Sequence, residues 1–253
     1  MLMHGPSSPS LLVAFVAAVL GGPLAARQSQ APQSPSSPRE AAPYDLTGYW
    51  VSVVTEDWRW RMVTPPKGDY ISIPLSDEGR RVAFAWDPRT DGSCKAYGAA
   101  GLMHMPTRLH ISWQGDDVLK VESDAGEQTR LLQFAPPGAP GPRSLQGSSV
   151  AVWEPLGVAG VGRAGGPPPP RALKVVTTNL IEGWLRRNGV AYSEQTTLTE
   201  HWDRVAFPNG DAWLTVSQYV SDPRYLTGDY TTSMHFKREP DGSKWKPAPC
   251  RQI

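Results

Sequence analysis

The sequence predicts an all-β protein, mainly antiparallel, whose strands close into an up-and-down barrel or a barrel-like sheet with one short helix. The 253 residues include 24 Gly and 26 Pro, a density of chain breakers that disfavours long helices. Short segments in which apolar and polar residues alternate recur along the chain, as in strands with one buried face. Ten Trp, eight Tyr and five Phe supply bulky side chains for a core. Closure into a barrel would leave no strand edge exposed.

The predicted elements follow one another from residue 46 to residue 238. Aromatic and basic residues alternate in WRWRMV, residues 58–63, which predicts a strand with two unlike faces. Ser76 predicts the N-cap of the only expected helix, which Pro88 ends. The other predicted strands are 46–55, 108–113, 118–123, 128–134, 148–154, 172–180, 196–205, 212–221 and 230–238.

The first 43 residues predict export and a spacer. An apolar run at 11–20 is followed by small residues, which is typical of a secretory signal peptide spanning 1–26. The run is too short for a membrane span, which needs about 20 apolar residues. The alternative is a buried apolar N-terminal segment. Residues 27–43, rich in Gln, Ser and Pro, predict a disordered linker, which leaves 44–253 as one β-rich domain in the periplasm or outside the cell.

The cysteine count and the charge balance bound the chemistry. Cys94 and Cys250 are an even pair in a chain expected to be exported, which predicts a disulfide rather than two buried thiols. Lys and Arg total 25 against 24 Asp and Glu, and a nucleic-acid-binding surface needs a larger basic excess. No metal-ligand spacing or nucleotide-binding loop occurs in the sequence, so neither a metal site nor a cofactor is predicted.

Two resemblances favour a secreted β-rich domain. Gly48-Tyr49-Trp50 resembles the Gly-X-Trp start of lipocalin-like barrels, which implies that the tryptophan closes one end of the barrel. LKVVTTNL at 173–180, LTE at 198–200 and the later Asp222-Pro223 resemble secreted bacterial proteins of uncharacterised function. The second resemblance covers the C-terminal third of the chain and implies no activity.

The densest group of candidate ligand-binding residues lies at the predicted strand 58–63. On a strand its tryptophans share one face and its arginines the other, so the two arginines are expected to bind a carboxylate or phosphate in a pocket. The alternative is an aromatic row facing the core, with solvated arginines that pair with the acidic residues before them. The expected lining residues are Trp58, Arg59, Trp60, Arg61, Tyr70, Tyr97 and His110.

Three side chains on predicted strands are candidates for acid–base chemistry. His110 shares a face with Glu122 on the next strand, and a carboxylate bonded to one imidazole nitrogen would fix its tautomer. The alternative is an ordinary polar cross-strand pair. Glu200 alternates with apolar residues and is either a carboxylate beside apolar walls, suited to proton transfer, or the partner of Arg130. His235 is a catalytic or a structural histidine.

These patterns predict a secreted or periplasmic barrel that binds a small, largely apolar molecule bearing an anionic or polar group. One alternative is a cofactor-independent lyase, isomerase or hydrolase that uses Glu200, His110 or His235. Another is an envelope interaction module whose Pro- and Gly-rich loops, above all 155–171, contact a partner protein. The sequence contains no motif that fixes the reaction, the ligand or the oligomeric state.

Overall fold

A computed structural model describes residues 1–2, 37–89, 91, 94–135, 138, 141–155 and 171–250. The predicted signal peptide, apart from its first two residues, and the loop 156–170 lie outside the described residues. The helices are α1 (Trp58–Arg61), α2 (Asp77–Ala85) and α3 (Ala99–Leu102), and a 3-10 turn spans Lys95–Tyr97. The strands are β1 (Gly48–Ser52), β2 (Arg108–Gln114), β3 (Val118–Ser123), β4 (Ala125–Gly126), β5 (Gln128–Gln133), β6 (Ser148–Pro155), β7 (Arg171–Thr178), β8 (Gly183–Arg186), β9 (Val190–Tyr192), β10 (Thr197–Ala206), β11 (Ala212–Ser221), β12 (Tyr230–Glu239) and β13 (Ala248–Pro249).

Nine of these strands close into a barrel, as the sequence predicts, in the order β1-β12-β11-β10-β7-β6-β5-β3-β2. An odd number of strands cannot alternate in direction all the way around a closed ring, so one neighbouring pair must be parallel. That pair is β5 and β6, joined through Leu132 with Ser149 and Gln133 with Val150. The described end of the connection between them lies beside the start of β5, where the side-chain amide of Gln146 donates to that of Gln128 at 2.9 Å. The other neighbours in the barrel are antiparallel, so the predicted up-and-down order holds with this one exception.

The predicted strand 58–63 is wrong, because Trp58–Arg61 is the short helix α1. The backbone N–H of Arg61 donates to the carbonyl of Asp57 at 3.0 Å, which closes a helical turn. Asp57 itself has a left-handed backbone with φ 47°, and this turns the chain away from the path of β1. The predicted division into an aromatic and a basic face is also wrong, because it depends on a strand. Six residues of alternation are too few to distinguish a strand from a helical turn.

The predicted helix is confirmed as α2. The hydroxyl of Ser76 accepts a hydrogen bond from the backbone N–H of Gly79 at 3.0 Å, which satisfies one of the free donors of the first turn. The helix ends at Ala85, ahead of the predicted stop at Pro88. The two four-residue helices α1 and α3 are additional, and no described helix is long and apolar enough to cross a membrane.

Side chains fill the interior of the barrel. Trp50, in the predicted Gly-X-Trp segment, is fully buried, and its indole N–H donates to the carbonyl of Leu46 at 2.9 Å. The guanidinium of Arg238, on the last barrel strand, lies 5.6 Å from the centre of that ring. The core around it includes Leu109, Ile111, Leu119, Leu132, Leu173, Val175, Trp202, Leu214, Val216, Met234 and Phe236.

The two ends of the barrel are covered differently. We call the end at which β1 stops and β12 starts the capped end, because three connections, 53–107, 179–196 and 222–229, meet there. At the opposite end lie the short β2–β3 and β10–β11 turns and the segment before β1. In that segment Pro38, within the predicted linker, accepts a hydrogen bond from the indole N–H of Trp153 at 2.8 Å.

A hairpin and the predicted disulfide hold the cap together. Strands β8 and β9 pair around a turn in which Gly189 has φ +85° and lies against the ring of Trp86. Cys94, before the 3-10 turn, is bonded to Cys250, with 5.7 Å between the Cα atoms. Strand β13 pairs with β4 beside this bond. The disulfide thus ties the C-terminal segment to the cap, as the sequence predicts.

Candidate functional site

A cavity of about 230 Å³ lies at the capped end of the barrel. Its walls come from α1, the turn after α3, strand β8 and the start of β12. Its aromatic lining residues are Trp60, Trp184 and Tyr230. Its polar lining residues are Asp57, Arg61, Ser72, His104, Arg186, Arg187, Thr231 and Thr232.

The charges on the cavity wall are mainly positive. Arg61, Arg186 and Arg187 line it, whereas Asp57 is the one acidic residue among the described lining side chains. Glu56, which lies outside the lining, is 3.8 Å from Arg61 and compensates it in part. Guanidinium groups present several N–H donors in a planar fork that matches a carboxylate or phosphate. The wall therefore carries an excess of anion-binding donors.

Arg61 is fixed in place by the backbone around it. Its Nη1 donates to the carbonyl of Val53 at 3.1 Å and its Nη2 to that of Met103 at 3.4 Å. The Nε atom is buried without a hydrogen-bond partner in the described structure. Burial lowers the pKa of Arg61, and the charge of Glu56 acts in the opposite direction. A buried cation with an unused donor is the kind of group that a bound anion or water satisfies.

The other two arginines come from the tip of the β8–β9 hairpin. The pairing of β8 with β9 is irregular between Trp184 and Arg186, and such a bulge redirects side chains. Arg186 donates from Nη1 to the carbonyl of Ile71 at 2.8 Å, and its guanidinium lies 4.8 Å from the ring centre of Trp60. Arg187 donates from Nη2 to the carbonyl of Arg61 at 2.7 Å, and burial lowers its pKa.

His104 contributes an uncharged ring to the same wall. Desolvation, together with the positive charges of Arg61 and Arg186, lowers the pKa of His104 to about 3, while hydrogen bonding to Gln218 acts in the opposite direction. The imidazole is therefore neutral near pH 7, and one of its nitrogens is a hydrogen-bond acceptor. The indole N–H of Trp60 is likewise buried and has no partner among the described residues.

The structure brings two of the predicted ligand-binding residues, Trp60 and Arg61, into this cavity. Trp58 points to solvent with 61% of its surface exposed, and Arg59 is exposed and pairs with Asp69 at 2.7 Å. Tyr70 and Tyr97 are instead buried in two hydrophobic clusters of the cap. His110 lies on the outer wall of the barrel. None of these five lines the cavity.

The predicted pairing of His110 with Glu122 is present. The two residues are opposite each other on β2 and β3, and Nδ1 of the imidazole lies 2.9 Å from a carboxylate oxygen. Lys120 is 3.0 Å from the same oxygen, and the ring of Tyr49 stacks on the imidazole with centres 4.4 Å apart. This half-exposed group is a cross-strand network on the barrel's outer face, away from the cavity.

Glu200 pairs with Arg130, which was the alternative interpretation of its sequence position. The carboxylate oxygens lie 2.5 and 3.2 Å from the two Nη atoms, and both side chains are almost completely buried inside the barrel. His235 faces outward from β12, with Nδ1 2.7 Å from a carboxylate oxygen of Glu56. Neither Glu200 nor His235 lines the cavity.

Sequence reasoning missed His104, Trp184, Arg186, Arg187 and Tyr230 as site residues. One available signal was the dipeptide Asn188-Gly189, which is typical of a tight hairpin turn between short strands. It would have placed the two arginines next to a turn. The position of His104 had no comparable signal, because it lies in an irregular connection whose path depends on the rest of the cap.

In the described part of the chain, no group of three or more His, Cys, Asp or Glu side chains is arranged to hold a metal ion. Comparison with known proteins adds no relative: no family model, no curated protein and no solved structure matches this chain significantly. The geometry of the cavity is therefore the basis for assigning a function.

Proposed function

We propose that this protein is a β-barrel binding protein that holds a small organic anion in the cavity at its capped end. The observation that carries this proposal is the meeting of Arg61, Arg186 and Arg187 on one wall, with Asp57 as the one acidic lining residue described. Each arginine already donates to a backbone carbonyl, so its guanidinium is positioned before any ligand arrives. Such preorganisation reduces the entropy lost on binding.

The size and the aromatic lining support a ligand of about one ring. An engineered protein cavity of about 150 Å³ holds benzene, and pockets for drug-sized ligands span about 300–1,000 Å³. The cavity described here, at about 230 Å³, lies between these values. Trp60, Trp184 and Tyr230 offer apolar contact for a ring, while the arginines would bind its carboxylate or phosphate.

We also propose that the protein resides in an oxidising compartment, either the periplasm or the exterior of the cell. The disulfide between Cys94 and Cys250 supports this, because such bonds persist mainly outside the cytosol. The relation to lipocalin-like barrels is a proposal as well, supported by the closed barrel and by the burial of Trp50. We propose binding rather than catalysis because the predicted acid–base residues lie outside the cavity.

Calorimetric titration with benzoate tests the proposal directly, with benzyl alcohol as a neutral ligand of similar size. Replacement Arg186→Gln keeps polar atoms near Ile71 but removes one cavity charge. Hydrogen bonds to charged groups are worth about 1.5–3 kcal/mol, so the Kd for benzoate should rise about 10- to 100-fold. Arg59→Gln is the matched control, since Arg59 is also a guanidinium of the cap but is 60% exposed.

The control variant should change the Kd by less than about 2-fold, because an exposed ion pair contributes little. Both variants are first compared with the unmodified protein by urea unfolding, so that a loss of fold is not mistaken for a loss of binding. The proposal fails if benzyl alcohol binds as tightly as benzoate. It fails equally if Arg186→Gln and Arg59→Gln weaken binding to the same extent.

A further inference from the structure

A buried chain of polar side chains runs from the barrel interior to the cavity. It begins at the ion pair of Arg130 with Glu200, whose two oxygens face the guanidinium. One of these oxygens also accepts a hydrogen bond from Nε2 of Gln218 at 2.9 Å. Gln218 is fully buried and pairs across the sheet with Thr232, which lines the cavity together with His104.

The charge at the start of the chain fixes the orientation of the amide. A carboxylate paired with a guanidinium is ionised and only accepts hydrogen bonds. The amide group of Gln218 must therefore turn its NH₂ toward Glu200, which leaves its Oε1 directed away from the ion pair. That oxygen is buried and has no hydrogen-bond partner in the described structure. It can only accept a hydrogen bond.

His104, on the wall of the same cavity, carries a candidate donor for this oxygen. The Nε2 atom of its imidazole is also buried without a hydrogen-bond partner among the described residues. The interaction with Gln218 favours the protonated ring, as expected when an imidazole N–H donates to an amide oxygen. The structure assigns these two atoms to each other, and His104 then carries its single hydrogen on Nε2. The lone pair belongs to Nδ1, on the other side of the ring.

Resting on the proposed function, we infer that Nδ1 of His104 is a hydrogen-bond acceptor in the cavity and that the ligand carries a hydroxyl or N–H group besides its anionic group. The arginines and the indole of Trp60 can only donate, so they bind the anionic end. His104 on the same wall would accept from the second group. The preferred ligand class is a hydroxylated or amino-substituted small aromatic anion.

The tautomer can be measured without any ligand. Nitrogen NMR of the ligand-free protein with ¹⁵N-labelled histidine distinguishes a protonated from an unprotonated ring nitrogen. We expect His104 to have the hydrogen on Nε2, and we expect Gln218→Met to abolish this preference because it removes the accepting oxygen. A hydrogen on Nδ1 in the unmodified protein would overturn the assignment, whether or not any anion binds.

The ligand class is tested by titrating benzoate and its three hydroxylated isomers. At least one isomer should bind about 3- to 10-fold more tightly than benzoate, the gain expected for one hydrogen bond. His104→Phe should remove this gain, so that the best isomer and benzoate bind this variant with Kd values within about 2-fold of each other. His201→Phe is the control, because His201 faces outward from β10 beside Glu154, and it should keep the gain.

The outcomes separate the two proposals. If benzoate and the isomers all fail to bind, the proposed function is wrong, and the NMR result still decides the tautomer. If benzoate binds in an Arg186-dependent way but no isomer binds more tightly, the binding function stands and the inference about His104 is overturned. If His104→Phe keeps the gain of the best isomer, another acceptor is responsible and the inference is equally overturned.

Discussion

Replacing Glu200 by glutamine should destabilise the whole barrel. Arg130 makes two hydrogen bonds with this carboxylate and a third, at 3.2 Å, with the hydroxyl of Thr177. The side chains of the ion pair are 1% and 0% exposed, so water cannot replace a lost partner. Glutamine has nearly the same shape, and the substitution therefore removes the charge with little change in packing.

The magnitude follows from the burial of the remaining cation. The introduced amide has a single oxygen and can accept from only one of the two Nη atoms. Arg130 therefore loses one charged hydrogen bond and its only carboxylate partner among the described residues. Removing one member of a buried ion pair costs about 3–5 kcal/mol. Proteins of this kind have a total free energy of unfolding of about 5–15 kcal/mol, so the predicted loss is a large fraction of the stability.

Urea unfolding followed by circular dichroism measures the effect. With a slope of about 2 kcal/mol per molar urea, the midpoint of Glu200→Gln should fall by about 1.5–2.5 M. Glu122→Gln provides the control, because that carboxylate pairs with His110 and Lys120 on the outer wall at partly exposed positions. Its loss should be below about 1 kcal/mol.

A double substitution tests whether the uncompensated charge is the cause. Arg130→Met combined with Glu200→Leu replaces the pair by apolar side chains, and such replacements are often neutral or stabilising. The double variant should therefore recover most of the stability lost in Glu200→Gln. The reasoning is refuted if Glu200→Gln costs less than about 1 kcal/mol, or if the double variant is no more stable than Glu200→Gln.

Two further predictions concern the cap. Gly189→Ala should lose more stability than Gly210→Ala. Both glycines have a similar left-handed backbone, φ +85° and +86°, but only at Gly189 would the added Cβ meet the side chain of Trp86. Equal losses in urea unfolding would contradict this. Burial of Asp222 opposes its ionisation, but hydrogen bonds, foremost from the backbone of Ser193 and Tyr225, lower its pKa below the ordinary 3.8. Its stabilising effect should therefore be present above about pH 4 and be lost as the pH falls through the lower folded-state value, so Asp222→Asn should be less stable at neutral pH and show a shallower acid loss of stability.

The barrel was predictable because alternation is a local signal of strands with one buried face. In β10, for example, alternation predicts that Leu198, Glu200 and Trp202 share one face, and the structure shows that this face is the buried one. The identity of the partner inside the barrel is a different matter. Arg130 is 70 residues away in sequence, and only the closure of the sheet brings it to Glu200. Alternation predicts which residues share a face of a strand, but not which residues of other strands contact that face.

The cap was not predictable in the same way, because its residues follow no regular period. Residues 58–63 alternate in sequence, but 58–61 form a helical turn. The different environments of Arg59 and Arg61 therefore come from contacts with other segments of the chain. Arg61 is buried because the carbonyls of Val53 and Met103 accept its hydrogen bonds, whereas Arg59 meets only the exposed side of the cap. Such differences come from contacts between distant connections.

The position of the cavity follows from how the barrel is filled. Large side chains such as Trp50 and Trp202 occupy the interior, and the polar chain through Glu200 and Gln218 lies between them and the cap. A ligand site then has to lie at an end, where long connections can be shaped without disturbing the sheet. The capped end has the connection 53–107, long enough to enclose a space together with the β8–β9 hairpin. The described parts of the opposite end are the short β2–β3 and β10–β11 turns and the segment before β1. The cavity therefore lies where this long connection meets the hairpin and the start of β12.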